Sequence, residues 1–143
     1  MPKASKELLE ALNDGLSEEL ASVVQYMWQH VVARGLESPA IASLFKETSM
    51  VEMDHAYRVA ERIDLLGGVP TTAVGPVKVE GDLLAMLKGD LEAEEGAVEL
   101  YRNLVKLARK EDDPVTLRLV EDILGETEEH AHKLAAILEE ESS

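Results

Sequence analysis

The chain repeats its own pattern at an offset of 75 positions, so that residue 38 corresponds to residue 113. Carboxylate, tyrosine, histidine and proline positions coincide in this single frame, and no gap is needed. The coinciding pairs are Glu19 with Glu94, Tyr26 with Tyr101, His55 with His130, and Pro39 with Pro114. The repeat predicts two equivalent helix pairs related by a pseudo-twofold axis, with polar residues meeting at its centre.

Helix start and stop signals divide the chain into four helices. Gly35 is typical of the residue just past a helix C-terminus, and Ser38 followed by Pro39 predicts an N-cap and a first helical residue. Asp113 and Pro114 repeat this start signal. The predicted helices cover residues 5–34, 39–66, 82–110 and 114–140 of a single domain that takes in residues 1–143.

The connections between these helices are short, long and short. Residues 67–81 are rich in glycine and proline and predict a loop. Such a loop reaches about 50 Å when extended, whereas a helix of about 28 residues is about 42 Å long. The loop can therefore cross the whole bundle, so that helices two and three run parallel. The predicted fold class is all-α, a four-helix bundle with one long crossover between helices two and three.

Each predicted helix places a polar or ionisable residue within its apolar stripe. Residues three, four and seven apart share a helix face. The residues on the inner faces are Glu19, Glu52, His55, Glu94, Thr127 and His130. Buried carboxylates are costly unless they are paired or neutralised, and a shared cation explains their clustering. Carboxylate and imidazole ligands suit iron or manganese. A helical scaffold without metal is the alternative, and it leaves the buried carboxylates unexplained.

Position 127 breaks the repeat at the centre of this pattern. The residue equivalent to Glu52 is Thr127, which offers one neutral and weak hydroxyl ligand in place of a carboxylate. We expect two unequal metal sites, a tight one at Glu52 and His55 and a weak one near His130. Glu126 is the nearest substitute, but it lies about 100° around the helix.

A second Glu-x-x-His stands at Glu129 and His132, on a different face. His132 is rotated by about 200° from His130, so it is expected to face outward with Glu129. We interpret these two residues as solvated surface or as part of a partner-facing patch.

Helices one and two carry a second apolar strip that one bundle core does not require. Its members are Leu20, Val24, Met27, Val31, Met50, Met53 and Tyr57. The equivalent strips of helices three and four are polar. Exposed apolar strips mark interfaces, so the sequence predicts a homodimer through helices one and two, alone or within a larger homo-oligomer.

Composition limits the remaining functions. The chain has no cysteine, which excludes disulfides and thiolate metal sites. Its net charge of −15 argues against nucleic acid or an anionic membrane as a partner and is typical of a protein that attracts cations. No apolar run approaches the roughly 18 residues of a membrane span, and the N-terminus lacks a signal-peptide core. We expect a cytoplasmic protein.

Four segments resemble the bacterioferritins and related ferritin-like proteins: "EELASVVQY", "VEMDHAYRVAERIDLLGGVP", "DLEAEEGAVELY" and "ILGETEEHAHKL". The resemblance implies a ferritin-like bundle and a di-iron ferroxidase centre. By position, it implies that the metal ligands are Glu19, Glu52, His55, Glu94 and His130. It also implies that Tyr26 is a buried tyrosine beside the centre and that Met53 is a ligand of haem b.

Two departures from that family affect the expected function. Thr127 stands where the family has its second bridging carboxylate, and only 13 residues follow His130 (143 minus 130), too few for the family's fifth helix. The second departure removes the basis for expecting the family's 24-subunit shell, and we expect a dimer as the basic unit.

The predicted function is oxidation of Fe(II) by O2 or H2O2 at a di-iron or mixed-metal centre, for iron storage or detoxification. The alternatives are a non-catalytic metal- or haem-binding subunit whose site is incomplete at Thr127, and a manganese protein.

Overall fold

Four α-helices make up the bundle in the computed structural model, which describes residues 3–79 and 81–142. They are α1 (Lys6–Val32), α2 (Ser38–Leu65), α3 (Leu83–Lys110) and α4 (Pro114–Ser142). The four-helix prediction is confirmed, and each boundary lies within two residues of the predicted one. Position 80 of the predicted loop lies outside the described residues. Within the described part of the chain, no helix is long and apolar enough to cross a membrane.

Side-chain caps explain where most of the helices begin. Ser5 accepts a hydrogen bond from the Leu8 backbone amide at the start of α1, and Asp82 caps α3 in the same way. Asp113 accepts from the backbone amide of Thr116, as expected for the N-cap of α4. These acceptors satisfy amides that have no partner within the helix.

The predicted N-cap at Ser38 is wrong. Ser38 is the first residue of α2, and Glu37 precedes it with helical dihedral angles and no side-chain cap. The reason is the tight turn at Gly35, whose carbonyl already accepts from the Ser38 amide and starts the helical path early. Gly35 has a φ of 116°, and α1 ends ahead of it at Val32.

A Schellman motif ends α2 at the predicted pair of glycines. The Gly68 amide donates to the Ile63 carbonyl and the Gly67 amide to that of Asp64. Gly67 has a φ of 88°, a left-handed conformation that favours glycine. The chain therefore leaves the helix here and enters the crossover.

The crossover runs along α1 in the direction of that helix. Asn13 is hydrogen-bonded to Val69 and Thr71, the Gly75 amide donates to the Ser17 carbonyl, and further along the Lys78 amide donates to Gln25. The segment thus carries the chain back along the bundle, and α3 runs antiparallel to α1 and parallel to α2. This agrees with the predicted long crossover.

Two apolar clusters fill the two ends of the bundle. One includes Leu8, Leu12, Val59, Leu104 and Ile123. The other includes Phe45, Leu87 and Leu134. A buried polar layer separates these clusters, at mid-height of all four helices.

Candidate metal centre

The structure brings the five sequence-predicted ligands together in the polar layer. Glu19 lies on α1, Glu52 and His55 on α2, Glu94 on α3 and His130 on α4. The four on α1, α2 and α3 are buried, and His130 is half-buried. Each comes from the middle of an apolar stripe, so packing of the stripes carries the polar groups inward.

The imidazole Nδ1 atoms face the carboxylates. His55 Nδ1 lies 3.5 Å from Glu19 Oε2 and 3.9 Å from Glu52 Oε1. His130 Nδ1 lies 3.1 Å from the same Glu52 oxygen and 3.7 Å from Glu94 Oε1. Glu52 therefore stands between the two histidines, whose ring centroids are 6.5 Å apart.

Two tyrosines hold the outer carboxylates. The Tyr26 hydroxyl donates to Glu94 Oε1 and the Tyr101 hydroxyl to Glu19 Oε1, each at 2.8 Å. The position of Tyr26 beside the centre agrees with the prediction. The matching bond from Tyr101 to Glu19 was not predicted. The signal was present, since the repeat places Tyr101 opposite Tyr26.

Unpartnered ligand atoms are the best measure of whether this layer fits a metal. The buried atoms Glu19 Oε2, Glu52 Oε1, His55 Nδ1 and His130 Nδ1 have no hydrogen-bond partner among the residues that the structure describes. They belong to two groups of residues, and within each group the ligand atoms all lie within 4.8 Å of one another. The groups are Glu19, Glu52 and His55, and Glu52, Glu94 and His130. Oxygen and imidazole nitrogen donors in this arrangement fit a pair of divalent transition metals that share Glu52.

Burial controls the protonation of the metal-free cluster. Burial raises the pKa of Glu52 to about 8, and the charge of Glu19 adds to the rise. It also raises the pKa of Glu19 to about 6 and raises that of Glu94. Burial alone would lower the pKa of His130, but the carboxylates of Glu52 and Glu94 outweigh this and raise it to about 10. Without a cation, the cluster reduces its negative charge by holding protons.

Position 127 is where the repeat predicts a further carboxylate ligand, and Glu126 is the nearest possible substitute for it. Thr127 is buried, and its hydroxyl donates to the Ile123 carbonyl at 2.8 Å, a bond within its own helix. Glu126 Oε2 lies 3.1 Å from His55 Nε2, on the side of the ring away from the other carboxylates, and 3.6 Å from Arg58. Glu126 is thus placed to orient His55 rather than to replace the carboxylate missing at position 127.

Among the described residues, the His130 half has no equivalent of this orienting carboxylate. The repeat places Val51 opposite Glu126 (126 minus 75). Val51 instead lines a cavity of about 110 Å³ next to His130, together with Glu47 and Lys133. The two halves therefore differ in burial, access and histidine support.

Most of the residues predicted to face outward do so, but Leu20 of the predicted apolar strip is only partly exposed, because it packs against the apolar cluster that includes Leu8 and Leu12. Glu129 and His132 are exposed. Met53 is 39% exposed, and it belongs to an exposed set that we call the α1–α2 apolar patch. The patch consists of Val24, Met27, Val31, Met50, Met53 and Tyr57.

Comparison with known proteins gives consistent matches over nearly the whole chain. The model of the ferritin-like domain family matches residues 9–142. A bacterioferritin of Desulfovibrio desulfuricans is 34% identical over 125 residues, which cover 87% of this chain and 70% of the relative. A protein named nutrient stress-induced DNA-binding protein, from Synechococcus, is 30% identical over an alignment of 150 positions, gaps included. This alignment covers 96% of this chain and 84% of the relative.

A solved structure matches the fold closely. A crystal structure described as ferritin-like, diiron-carboxylate proteins from Bacillus anthracis superposes with a TM-score of 0.91 at 27% identity. The match covers 93% of this chain and 96% of that chain. The predicted fold class is thereby confirmed.

Proposed function

The chain belongs to the ferritin-like family, and from that premise we propose that it binds Fe(II) in the polar layer and oxidises it there, for iron storage or detoxification. The proposal rests above all on the four buried and unpartnered atoms of Glu19, Glu52, His55 and His130. Buried polar atoms are almost always hydrogen-bonded, so four exceptions gathered in two adjoining groups call for a ligand. Divalent cations satisfy carboxylates and neutral imidazoles together.

The chain's own groups fit defined tasks in this function. Glu52 would be shared by two cations, and the two histidines would bind through Nδ1. The hydroxyls of Tyr26 and Tyr101 hold the outer carboxylates in place, which reduces the reorganisation needed on binding. Bound iron would supply the electrons that reduce O2 or H2O2. The net charge of −15 favours the approach of cations, and the cavity lined by His130 would be their way in.

Unequal affinity of the two sites is part of the proposal. The Glu19, Glu52 and His55 group is fully buried, and Glu126 steadies its histidine. The other group has a half-buried histidine without such support. The first group would therefore fill at lower metal concentration.

A pair of matched double variants tests the site. Glu52→Ala with His55→Ala removes the inward Glu-x-x-His, and Glu129→Ala with His132→Ala removes the same motif from the outer surface. Anaerobic titration with Fe(II) should show loss of binding in the first variant and wild-type stoichiometry in the second. Unchanged metal content in the inward variant would refute the site assignment. Titration with Mn(II) in parallel tests the manganese alternative.

A non-catalytic metal-binding subunit is the second candidate, and Thr127 favours it. Its hydroxyl is bonded to the Ile123 carbonyl, so it adds no negative charge to the centre. Stopped-flow oxidation of bound Fe(II) separates the candidates. Oxidation no faster than that of free Fe(II) identifies a binding subunit, and a burst that scales with bound iron identifies a ferroxidase.

Assembly through the α1–α2 apolar patch is a further part of the proposal. Met50 and Tyr57 of the patch are 67% and 63% exposed, so a single copy leaves apolar side chains in water. Two copies related by a twofold axis would bury the patch against itself. Met50→Glu should yield monomers in light scattering, whereas Val115→Glu, at an exposed position of α4, should not. A dimer that survives Met50→Glu refutes this interface.

Haem is proposed only at that interface. Met53 is exposed within the patch, so its thioether is available to a haem held between two copies. If haem b binds there, Met53→Leu removes its visible absorption and leaves the dimer intact.

A further inference from the structure

A second buried polar cluster lies beside the metal centre, around Asp90. Asp90 is fully buried on α3, one turn before Glu94. Its Oδ1 accepts hydrogen bonds from the side-chain amides of Gln25 and Gln29 on α1, each at 2.8 Å. Gln25 in turn accepts from the Lys78 backbone amide at 2.9 Å, which ties the cluster to the crossover. None of these side chains belongs to the proposed ligands.

Two acceptors in this cluster lack a hydrogen. Asp90 Oδ2 and Gln29 Oε1 are buried and have no hydrogen-bond partner within the described part of the chain. A primary amide and a carboxylic acid pair through two hydrogen bonds, and Gln29 already gives one of them to Oδ1. A proton on Asp90 Oδ2 would supply the donor that both unpartnered atoms lack. An ionised Asp90 would leave both unsatisfied in the core.

The charges around Asp90 also favour the neutral form. Glu94, one turn later on α3, is a further acid, and the neighbouring Tyr26 hydroxyl is neutral. Neither residue supplies a positive charge that would stabilise an ionised Asp90. The Lys78 ammonium is paired with Glu92 at 3.6 Å. No ion pair with Asp90 occurs among the described residues. The pKa of Asp90 is raised to about 6, mainly by burial, with the bonds from Gln25 and Gln29 acting against the rise and the charge of Glu94 adding to it.

The repeat shows that the fold does not require this cluster. The positions equivalent to Asp90, Gln25 and Gln29 are Gly15, Leu100 and Leu104 (90 minus 75, 25 plus 75, 29 plus 75). They also meet in space, since a Cβ at Gly15 would lie 3.4 Å from Leu100 and 3.6 Å from Leu104. The same position in the other half is thus surrounded by two leucine side chains and, at 3.4 Å, the Tyr101 hydroxyl, and it holds no carboxylate. A carboxylate kept in only one half points to a role in function.

The charge of the centre supplies that role. Two divalent cations bring four positive charges, and Glu19, Glu52 and Glu94 balance three of them when the histidines are neutral. Thr127 leaves the fourth charge unbalanced inside a low-dielectric core, which is costly. We propose that in mildly acidic solution Asp90 holds a proton in the metal-free protein and releases it to solvent when the centre fills, so that its carboxylate balances the fourth charge without being a ligand. This rests on the proposed function, and it makes Asp90 a positioning residue.

Asp90→Asn is the variant that tests the inference. The asparagine amide keeps an oxygen at Oδ1 and places an N–H where the acid proton would be, so the pairing with Gln29 is retained. We would titrate both proteins with Co(II), a redox-inert probe here, and record the protons released. At about pH 5.5 the wild type should release more protons, by up to one per filled centre, and at about pH 8 the difference should vanish because Asp90 has already ionised. Equal release at the lower pH would overturn the inference.

The metal-free proteins supply a readout that does not depend on the proposed function. As pH rises from about 5 to about 7, the melting temperature of the wild type should fall relative to that of Asp90→Asn, because only the wild type must ionise a buried acid. A constant difference across this range overturns the inference. If neither protein binds Co(II), the proposed function fails while this comparison still decides the state of Asp90. If Asp90→Asn does not fold, ¹³C NMR of aspartate-labelled wild type takes its place. A carboxyl that titrates near pH 6 and ionises on addition of Co(II) supports the inference, and its absence refutes it.

Discussion

The metal-free protein should lose stability as the pH rises through neutrality, and Glu52 should account for much of the loss. Burial and the charge of Glu19 raise the pKa of Glu52 from 4.5 to about 8. Between these two values the folded chain holds a proton that the unfolded chain has released. Stability follows the difference in bound protons, unfolded minus folded, so the free energy of unfolding falls with rising pH in this window. Most carboxylates in proteins behave in the opposite way, because their folded pKa is lowered.

The size of the effect follows from the same shift. One proton held only by the folded state changes the free energy of unfolding by about 1.4 kcal/mol for each pH unit. From about pH 5 to about pH 7 the loss due to Glu52 is therefore roughly 3 kcal/mol, a large share of the stability of a typical domain. His130 acts in the same direction, since its pKa is raised to about 10 and its contribution to stability is lost above its unfolded value of 6.5.

Urea unfolding followed by circular dichroism, with a chelator present, measures this loss directly. The wild type should show a steep decline between about pH 5 and pH 7, and Glu52→Gln should remove about 1.4 kcal/mol per pH unit from the slope. Glu129→Gln, on the outer surface, controls for the general effect of an acidic chain and should keep the wild-type slope. Parallel slopes for wild type and Glu52→Gln would show that the buried carboxylate is not protonated in the folded state. Excess Co(II) should reverse the trend, because metal binds the deprotonated ligands.

Three further predictions concern single positions. Thr127→Glu should raise both the metal stoichiometry and the rate of Fe(II) oxidation, as measured by anaerobic titration and stopped-flow absorbance; no change would mean that another group completes the centre. Glu126→Gln should weaken the first metal-binding step by about 10- to 100-fold, because His55 loses its orienting carboxylate, while Glu129→Gln leaves it unchanged in calorimetry. Gly67→Ala should lower the free energy of unfolding by roughly 1 kcal/mol in urea denaturation, because the φ of 88° at this position is strained for alanine. The new Cβ itself meets no atom within 4 Å, so an unchanged midpoint would show that the turn relaxes.

Local and periodic patterns in the sequence predict the bundle and its inner faces. Apolar spacing, the glycines and prolines between the helices and the long loop predicted four helices with one crossover, and the structure agrees. The repeat predicted that Glu19, Glu52, His55, Glu94 and His130 would meet at one level. These features are local or periodic, and helix geometry converts them directly into positions on a face.

The tertiary structure alone decided how these groups pair with their neighbours. Glu126 lies off the inner face by helix geometry, yet a long side chain and the packing of α4 against α2 bring it to His55 Nε2. Asp90 looked like one acidic residue among many until α3 was packed against α1 and its carboxylate met Gln25 and Gln29. Such contacts depend on the distance and rotation between helices, because side chains from separate helices meet only in the packed bundle. The periodicity of one helix sets the face that a residue occupies, and only the packed neighbour sets what that residue touches.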